Sequence, residues 1–143
     1  MESKTTLSRE LAKFAITASY GDLPEAVIHQ AKRCLLDTIG VIIAGAALAD
    51  SAKVIQDFVK EHGTAGNATV IGASQKLEAS YAALANGVAA HALELDDGSK
   101  YATYHPGASM IPTALALGEQ CNASLANILL ALALGYEVSL RIG

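Results

Sequence analysis

The chain has 143 residues, of which 52% are hydrophobic and 17% are charged, and its formal net charge is −4. A chain of this length forms about one domain with a core of its own. Its acidic and basic residues are interspersed, so it lacks the basic stripe that neutralises nucleic-acid phosphates or binds a membrane surface. We therefore predict no nucleic-acid partner and no membrane partner.

Targeting and cysteine patterns point to an ordinary cytoplasmic protein. The first residues lack the basic segment and apolar run of a secretory signal, which predicts a cytoplasmic location. Cys34 and Cys121 lie far apart in no metal-binding pattern, so we expect small buried side chains rather than a disulfide framework or a zinc site. The longest apolar runs, 41–49 and 128–135, are shorter than the roughly 20 residues of a membrane span.

Hydrophobic periodicity predicts three helices in the first 62 residues. The first presents an apolar face formed by Leu7, Leu11, Phe14 and Ala18. The second begins after Asp22, Leu23 and Pro24, with the aspartate as its cap, and widens into a buried C-terminal half. Within it, Gly40 and Gly45 would permit close approach of another helix.

The third helix is predicted from about residue 51 to residue 62, capped by Asp50 or Ser51 and ended by Gly63. The stretch 63–75 that follows is rich in glycine, threonine, asparagine and serine around one β-branched run, 68–71. Because a lone strand makes no sheet and no neighbouring segment alternates, we predict a loop there.

Three more helices are predicted in the second half. The fourth covers about 77–95, with one stripe formed by Leu77, Tyr81, Leu84, Val88, His91 and Leu95. The fifth runs from near Ser109 to Gln120, and the sixth follows a cap at 122–124. The predicted fold is therefore an all-α bundle of about six helices. The sequence stops almost inside the sixth helix, which we interpret as a truncation that leaves helix faces uncovered.

The stretch 91–112 concentrates the chemically useful side chains, among them Glu94, Asp96, Asp97, Lys100, Tyr101, Thr103, Tyr104 and His105. Asp96 and Asp97 follow a predicted helix C-terminus, where negative charge opposes the helix dipole. Gly98 is expected to adopt a left-handed conformation there. A sequence that tolerates this electrostatic cost favours a functional loop. The plainer alternative is that the two carboxylates are solvated or paired with Lys100.

A metal centre is the first chemical alternative for this loop. His91, Asp96, Asp97 and His105 supply nitrogen and oxygen ligands. Their spacing matches no familiar metal motif, since the sequence contains neither HExxH nor DDxxD. We predict no metal and no other cofactor.

Five sequence blocks carry a resemblance to a known family: LLDTIG at 35–40, AALANG at 82–87, HALELDD at 91–97, HPG at 105–107 and GYEV at 135–138. Together they resemble the MmgE/PrpD family, in order and over essentially the whole chain. That family includes 2-methylcitrate dehydratase, cis-aconitate decarboxylase and iminodisuccinate epimerase. The resemblance implies that residues 1–143 form the N-terminal portion of a larger helical domain, in a homodimer, and that the family's α/β lid domain is absent from this sequence.

The resemblance also implies a function: part of a lyase or isomerase that acts on small di- or tricarboxylic acids through acid/base chemistry. His105 occupies the position of the family's active-site histidine, to transfer a proton or bind a substrate carboxylate. Glu94 and Asp97 would orient that histidine or a water, and Lys100 and Tyr101 would bind substrate carboxylates. The family often has Asp at the position of Glu94 and, in two branches, Thr at that of Gly98, so the substrate stays open.

Each assignment has a structural alternative. His105 could merely cap the fifth helix, Tyr101 could be a packing aromatic, and Lys100 could be a solvated surface residue. We interpret His91 as a core histidine that fixes the acidic loop. At the level of the chain, the alternative is a non-catalytic helical module that dimerises or complements a separate remainder. Because a lone helical portion lacks a closing wall, we expect the isolated chain to be inactive.

Overall fold

A computed structural model describes residues 6–142 of the protein. Within these residues it contains six α-helices: α1 (Leu7–Thr17), α2 (Glu25–Leu48), α3 (Asp50–His62), α4 (Ala79–His91), α5 (Pro106–Gln120) and α6 (Leu125–Ile142). A single 3-10 turn, Tyr20–Asp22, and two short strands, β1 (Ala65–Thr69) and β2 (Lys76–Leu77), complete the elements. The predicted mostly helical fold class is confirmed. The first five residues, on which the prediction of no signal segment rests, lie outside the described part.

The core is organised around α4, which packs against α5, α2 and α3. Its buried face consists of small residues, mainly Ala79, Ala82, Ala85, Asn86, Ala89 and Ala90. The predicted stripe of bulky residues is wrong at Leu84, which is 44% exposed, and at Leu95, which lies beyond the helix and is exposed as well. Leu77 is buried, but in β2, and Tyr81 packs partly buried against the core. Alanine side chains let helices approach closely, so the smallest residues, and not the largest, mark the inner face.

Gly45 of α2 lies where this close approach is tightest. A Cβ atom at this position would lie 2.0 Å from the carbonyl oxygen of Ala89 in α4, so only glycine fits. The prediction of a close helix approach is confirmed at Gly45. It is wrong at Gly40, which is exposed and has no atom within 4 Å of the corresponding position.

These two glycines form a matched pair for a stability measurement. We expect Gly45→Ala to lower the free energy of unfolding by about 2 kcal/mol, because the new methyl group forces α2 and α4 apart. Gly40→Ala should instead raise it by roughly 1 kcal/mol, since alanine favours an exposed helix position. Urea unfolding followed by circular dichroism measures both. Equal shifts for the two variants would contradict the packing described here.

The stretch 63–75 is not the loop that the sequence predicts. β1 pairs antiparallel with β2, and a bulge lets Ala65 and Ala68 both face Leu77. The partner strand is only two residues long, which is too short for any alternation to show in the sequence. Asn86 of α4 holds this hairpin by accepting from the Ile71 amide at 2.9 Å and donating to the Thr69 carbonyl at 2.8 Å.

Helix ends and cysteines differ from the predictions in detail. The N-cap residues of α2 and α3 are Pro24 and Ala49, and Asp22 instead accepts hydrogen bonds from Ser19. The cap predicted before α6 is confirmed, since Ser124 Oγ accepts from the amide of Asn127 at 3.2 Å. Cys121 is exposed, contrary to the prediction of a buried thiol, because it follows the last turn of α5 at the surface.

Several apolar side chains of the described residues remain exposed, as expected for uncovered helix faces; they include Ile16, Leu36, Ile43, Leu48, Val54, Leu125 and Ile142. The C-terminal half of α2 is thus only partly buried.

By length and composition alone, α6 could cross a membrane, and so could α2 and α3 taken together as one span bent by 87°. One or two such helices are weak evidence of a membrane protein, so the absence of a membrane partner stays a prediction.

Candidate active site

The segment between α4 and α5 is held in a constrained conformation. Glu94 and Thr103 adopt the left-handed region, with φ of 51° and 50°. For residues other than glycine this conformation costs about 1–2 kcal/mol each. Such strain is typical of functional sites, where the surrounding structure maintains it. The prediction of a left-handed Gly98 is wrong: α4 ends at His91, and the chain already reverses at Glu94, whose amide donates to the His91 carbonyl at 3.1 Å.

Asp96 lies between two histidines. Its side chain is 0% exposed, whereas the side chains of His91 and His105 are 53% and 50% exposed. His91 Nδ1 lies 3.0 Å from Asp96 Oδ1 and 3.1 Å from Oδ2, and His105 Nδ1 lies 3.4 Å from Oδ2. The two imidazole rings meet edge to face with centroids 5.1 Å apart. A buried carboxylate thus links the last residue of α4 to the residue that precedes α5.

Asp97 stabilises the same segment through two hydrogen bonds that its own side chain accepts. Its Oδ1 accepts from the Gly107 amide at 2.8 Å, and its Oδ2 accepts from the Tyr136 hydroxyl at 2.6 Å. Gly107 is required by this approach, because a Cβ atom there would lie 2.5 Å from Asp97 Oδ1. Burial raises the pKa of Tyr136, and the bond to Asp97 and the carboxylate charge raise this pKa further. Asp97 therefore joins the segment to α5 and α6.

These contacts explain how two adjacent acids are tolerated after α4. The Asp97 carboxylate binds an amide in the first turn of α5, where the helix dipole favours negative charge. The Asp96 carboxylate faces two imidazoles. The electrostatic cost predicted at the end of one helix is offset at the beginning of the next.

The two histidines line different cavities. His91 lines an open groove of about 630 Å³ beside α4 and α5, where the hydroxyl-bearing residues are Ser51, Ser80, Ser109 and Thr113. His105 lines a cavity of about 270 Å³ together with Lys100, Ser99 and Tyr104. A cation and an imidazole in one cavity are suited to holding a carboxylate and moving a proton beside it.

His91, Asp96 and His105 each offer one metal-ligand atom, and these atoms all lie within 4.8 Å of one another. Among residues 6–142 this is the one group of three or more His, Cys, Asp or Glu side chains that could hold a metal ion. The sequence offers these three residues together with Asp97 as possible ligands, and the structure brings three of the four together.

Comparison with known proteins decides the family. The sequence model of the MmgE/PrpD N-terminal domain matches residues 9–143. The chain belongs to the MmgE/PrpD family. It is 34% identical over 125 residues to the cis-aconitate decarboxylase of Mus musculus and 33% identical over 127 residues to that of Homo sapiens, matches that cover 84% and 85% of this chain. The cis-aconitate decarboxylase of Aspergillus terreus is 32% identical over an alignment of 146 positions that covers 99% of this chain.

These matches cover only a small part of each MmgE/PrpD relative. The chain spans 25% of the mouse protein, 26% of the human protein and 30% of the fungal one. The resemblance found in the sequence is thereby confirmed at the level of the family. The decarboxylase activity for which these relatives are named belongs to proteins more than three times as long as this chain.

The structure brings together some of the residues predicted for the MmgE/PrpD site and separates others. His105 and Lys100 line one cavity. Glu94 is exposed, and Tyr101 is 87% exposed with Lys100 Nζ 5.0 Å from the centre of its ring. Among the described contacts, the carboxylate that faces His105 is that of Asp96, and not that of Glu94 or Asp97.

The alternatives for the two histidines can also be compared with the structure. His105 is the N-cap residue of α5, but its side chain makes no capping hydrogen bond, so the cap alternative gains no support. His91 is not a core histidine, since it stands at the exposed end of α4; it does fix the acidic segment, through Asp96. Sequence reasoning left Asp96 out of the predicted site. The signal that could have found it is a histidine at a helix end followed five residues later by an aspartate.

Proposed function

We propose that this chain supplies part of the active site of a lyase or isomerase that acts on small di- or tricarboxylic acids, with decarboxylation of cis-aconitate as the first reaction to test. The observation that carries the proposal is the position of His105, which lies beside the buried Asp96 carboxylate and shares a cavity with Lys100. The family membership and the names of the relatives favour the same chemistry.

The proposed chemistry needs two kinds of group. When carbon dioxide leaves a polycarboxylic acid, its bonding electron pair stays on the carbon framework, and a donor must then deliver a proton to carbon. Imidazole performs this transfer near neutral pH, which is the role proposed for His105. Cationic or hydrogen-bonding groups must hold the remaining carboxylates, and Lys100 and Tyr101 are proposed for this. Dehydration and epimerisation use the same two kinds of group.

Glu94 and Asp97 are proposed to act on the site less directly. Asp97 holds the Gly107 amide immediately after His105 and Pro106, so it orients His105 through the backbone. Glu94 occupies the left-handed turn that returns the chain from α4 towards Asp96. Both residues would thereby set the position of the histidine rather than take up its proton.

The cavity that contains His105 is open in the described residues, so catalysis requires further walls to exclude water. We therefore propose that the isolated chain is inactive and works within a longer polypeptide or with a second copy of itself, in the cytoplasm. The other candidate is a non-catalytic helical module. The exposed Leu36, Leu48 and Val54 favour it, because a partner could cover them. Turnover by the purified chain alone would contradict this second candidate function.

The experiment that tests the proposed function is a substrate screen with the full-length gene product. Purified protein is incubated with cis-aconitate, 2-methylcitrate or iminodisuccinate, and products are identified by proton NMR. We expect one of these acids to be consumed, while analogues with a single carboxylate are not. Failure to process any polycarboxylic acid, by protein that circular dichroism shows to be folded, would contradict the proposal.

A further inference from the structure

Asp96 is the most completely buried acid near the candidate site, with a side chain that is 0% exposed. A buried carboxylate is costly unless hydrogen bonds or a positive charge compensate it. Among the described residues, the polar side-chain contacts of Asp96 are with His91 and His105. The fold therefore maintains this carboxylate for the two imidazoles alone.

The contact geometry defines which ring nitrogen each histidine turns towards the carboxylate. His91 Nδ1 is almost equidistant from the two Asp96 oxygens, at 3.0 and 3.1 Å, which is the geometry of an N–H shared between two acceptors. An ionised carboxylate only accepts hydrogen bonds, so Nδ1 must carry the proton. His105 also turns Nδ1 to the same carboxylate, at an ion-pair distance of 3.4 Å, whereas the hydrogen bonds to this carboxylate come from His91. In both rings Nε2 is the nitrogen left for other chemistry.

We propose that Asp96 is the positioning residue of this site, that its hydrogen bonds fix His91 in the Nδ1–H form and its charge favours the same form in His105, and that His91 is thereby a second working imidazole of the site. A carboxylate bound to one ring nitrogen sets both the tautomer and the orientation of the ring. Because His91 and His105 line different cavities, one carboxylate leaves one Nε2 for each cavity, and this nitrogen takes up a proton from solvent before it delivers one. The catalytic role of the two histidines rests on the proposed function. The prediction of their tautomers does not.

The tautomers can be measured directly by NMR. The chain contains four histidines, and His29 and His62 lie outside the cluster as internal controls. In protein labelled with ¹⁵N at histidine, two-bond proton–nitrogen correlations distinguish the Nδ1–H form from the Nε2–H form. Spectra are recorded with a metal chelator about two pH units above the ordinary imidazole pKa of about 6.5, so that neutral rings dominate. We expect the Nδ1–H form for His91 and His105.

Substitution of Asp96 identifies the carboxylate as the cause. In Asp96→Leu, which removes the acceptor at similar volume, we expect both rings to lose the Nδ1–H form, while His29 and His62 keep their wild-type signals. Asp96→Glu should restore the Nδ1–H form in part. Wild-type His91 in the Nε2–H form would overturn the proposal even if the leucine variant failed to fold. Unchanged tautomers in a folded leucine variant would overturn it as well.

A metal ion is the rival ligand for the same three side chains, and a titration separates the two. After removal of the chelator, Zn²⁺ is added to the labelled chain. The proposal expects His91 and His105 to respond no more than His29 and His62. A joint shift of His91 and His105 at one equivalent of Zn²⁺, absent from Asp96→Leu, would replace the positioning role with a metal site. Neither experiment requires turnover, so a failure here is distinguishable from a failure of the proposed function.

Discussion

Replacing His105 with alanine should lower the kcat of the full-length enzyme by roughly 10²–10⁴-fold, the contribution expected of a general acid or base. The imidazole is half exposed and shares its cavity with Lys100, so its removal takes away the proton-transfer group without opening the core. Because the Asp96 carboxylate keeps its hydrogen bonds from His91, the midpoint of urea unfolding should change little. Steady-state kinetics on the acid found in the substrate screen measure the effect.

His29→Ala is the matched control for this substitution, because His29 is an exposed histidine on α2 outside the cluster. Its kcat should equal that of the wild type. If His105→Ala retained full turnover, or if His29→Ala lost as much, His105 would not be the proton-transfer group.

Asp97→Ala is the substitution near the candidate site with the largest expected effect on stability. It leaves the Gly107 amide and the Tyr136 hydroxyl without their acceptor at the junction of the loop with α5 and α6. An unsatisfied buried group costs about 1–3 kcal/mol, and because these two hydrogen bonds are only partly buried we expect the free energy of unfolding to fall by about 2 kcal/mol. Urea unfolding measures this loss. Asp57→Ala, at an exposed position on α3, should change it by less than about 0.5 kcal/mol. Similar effects from both variants would refute the role of Asp97.

The bond between Asp97 and Tyr136 also predicts a dependence on alkaline pH. The pKa of Tyr136 is raised in the folded state by burial, by the hydrogen bond to Asp97 and by its charge. Above the ordinary tyrosine pKa of about 10, the unfolded chain loses this proton while the folded chain keeps it, so stability falls as pH rises. Tyr136→Phe should be less stable at neutral pH and should lose stability less steeply above pH 10. Urea unfolding at a series of pH values measures this. If Tyr136→Phe lost stability above pH 10 as steeply as the wild type, the prediction would be contradicted.

Periodicity predicts the helices well where bulky apolar residues mark one face, and less well where packing uses small ones. The buried face of α4 consists of Ala82, Ala85, Ala89 and their neighbours, which carry little periodic signal, so the inner side of this helix was assigned to the wrong residues. The β1–β2 hairpin was missed for a different reason. Its stability depends on Asn86, which lies in α4 and binds the hairpin only in the folded chain.

The composition of the loop predicts where the candidate site lies, but not which side chains meet there. The density of polar residues and the HPG block single out His105. The partner predicted for it, Glu94 or Asp97, is replaced in the structure by Asp96. Neighbouring residues of an irregular loop turn in directions that sequence spacing does not define: Asp96 faces the two imidazoles, while Asp97 faces Gly107 and Tyr136. The contacts that α5 and α6 make with the loop determine which of the two aspartates faces the histidines.

Proton transfer to carbon beside a carboxylate is the central claim, and running the reaction in D₂O tests it most directly. The full-length protein is incubated with the polycarboxylic acid that it processes, and product and recovered substrate are analysed for deuterium by NMR. We predict deuterium at the carbon that decarboxylation or epimerisation protonates, or at the carbon of substrate re-formed when a dehydration reverses, with its incorporation slowed in His105→Ala to the same extent as kcat. Decarboxylation or epimerisation without any deuterium at carbon, or incorporation that proceeds at the wild-type rate without His105, would contradict the account.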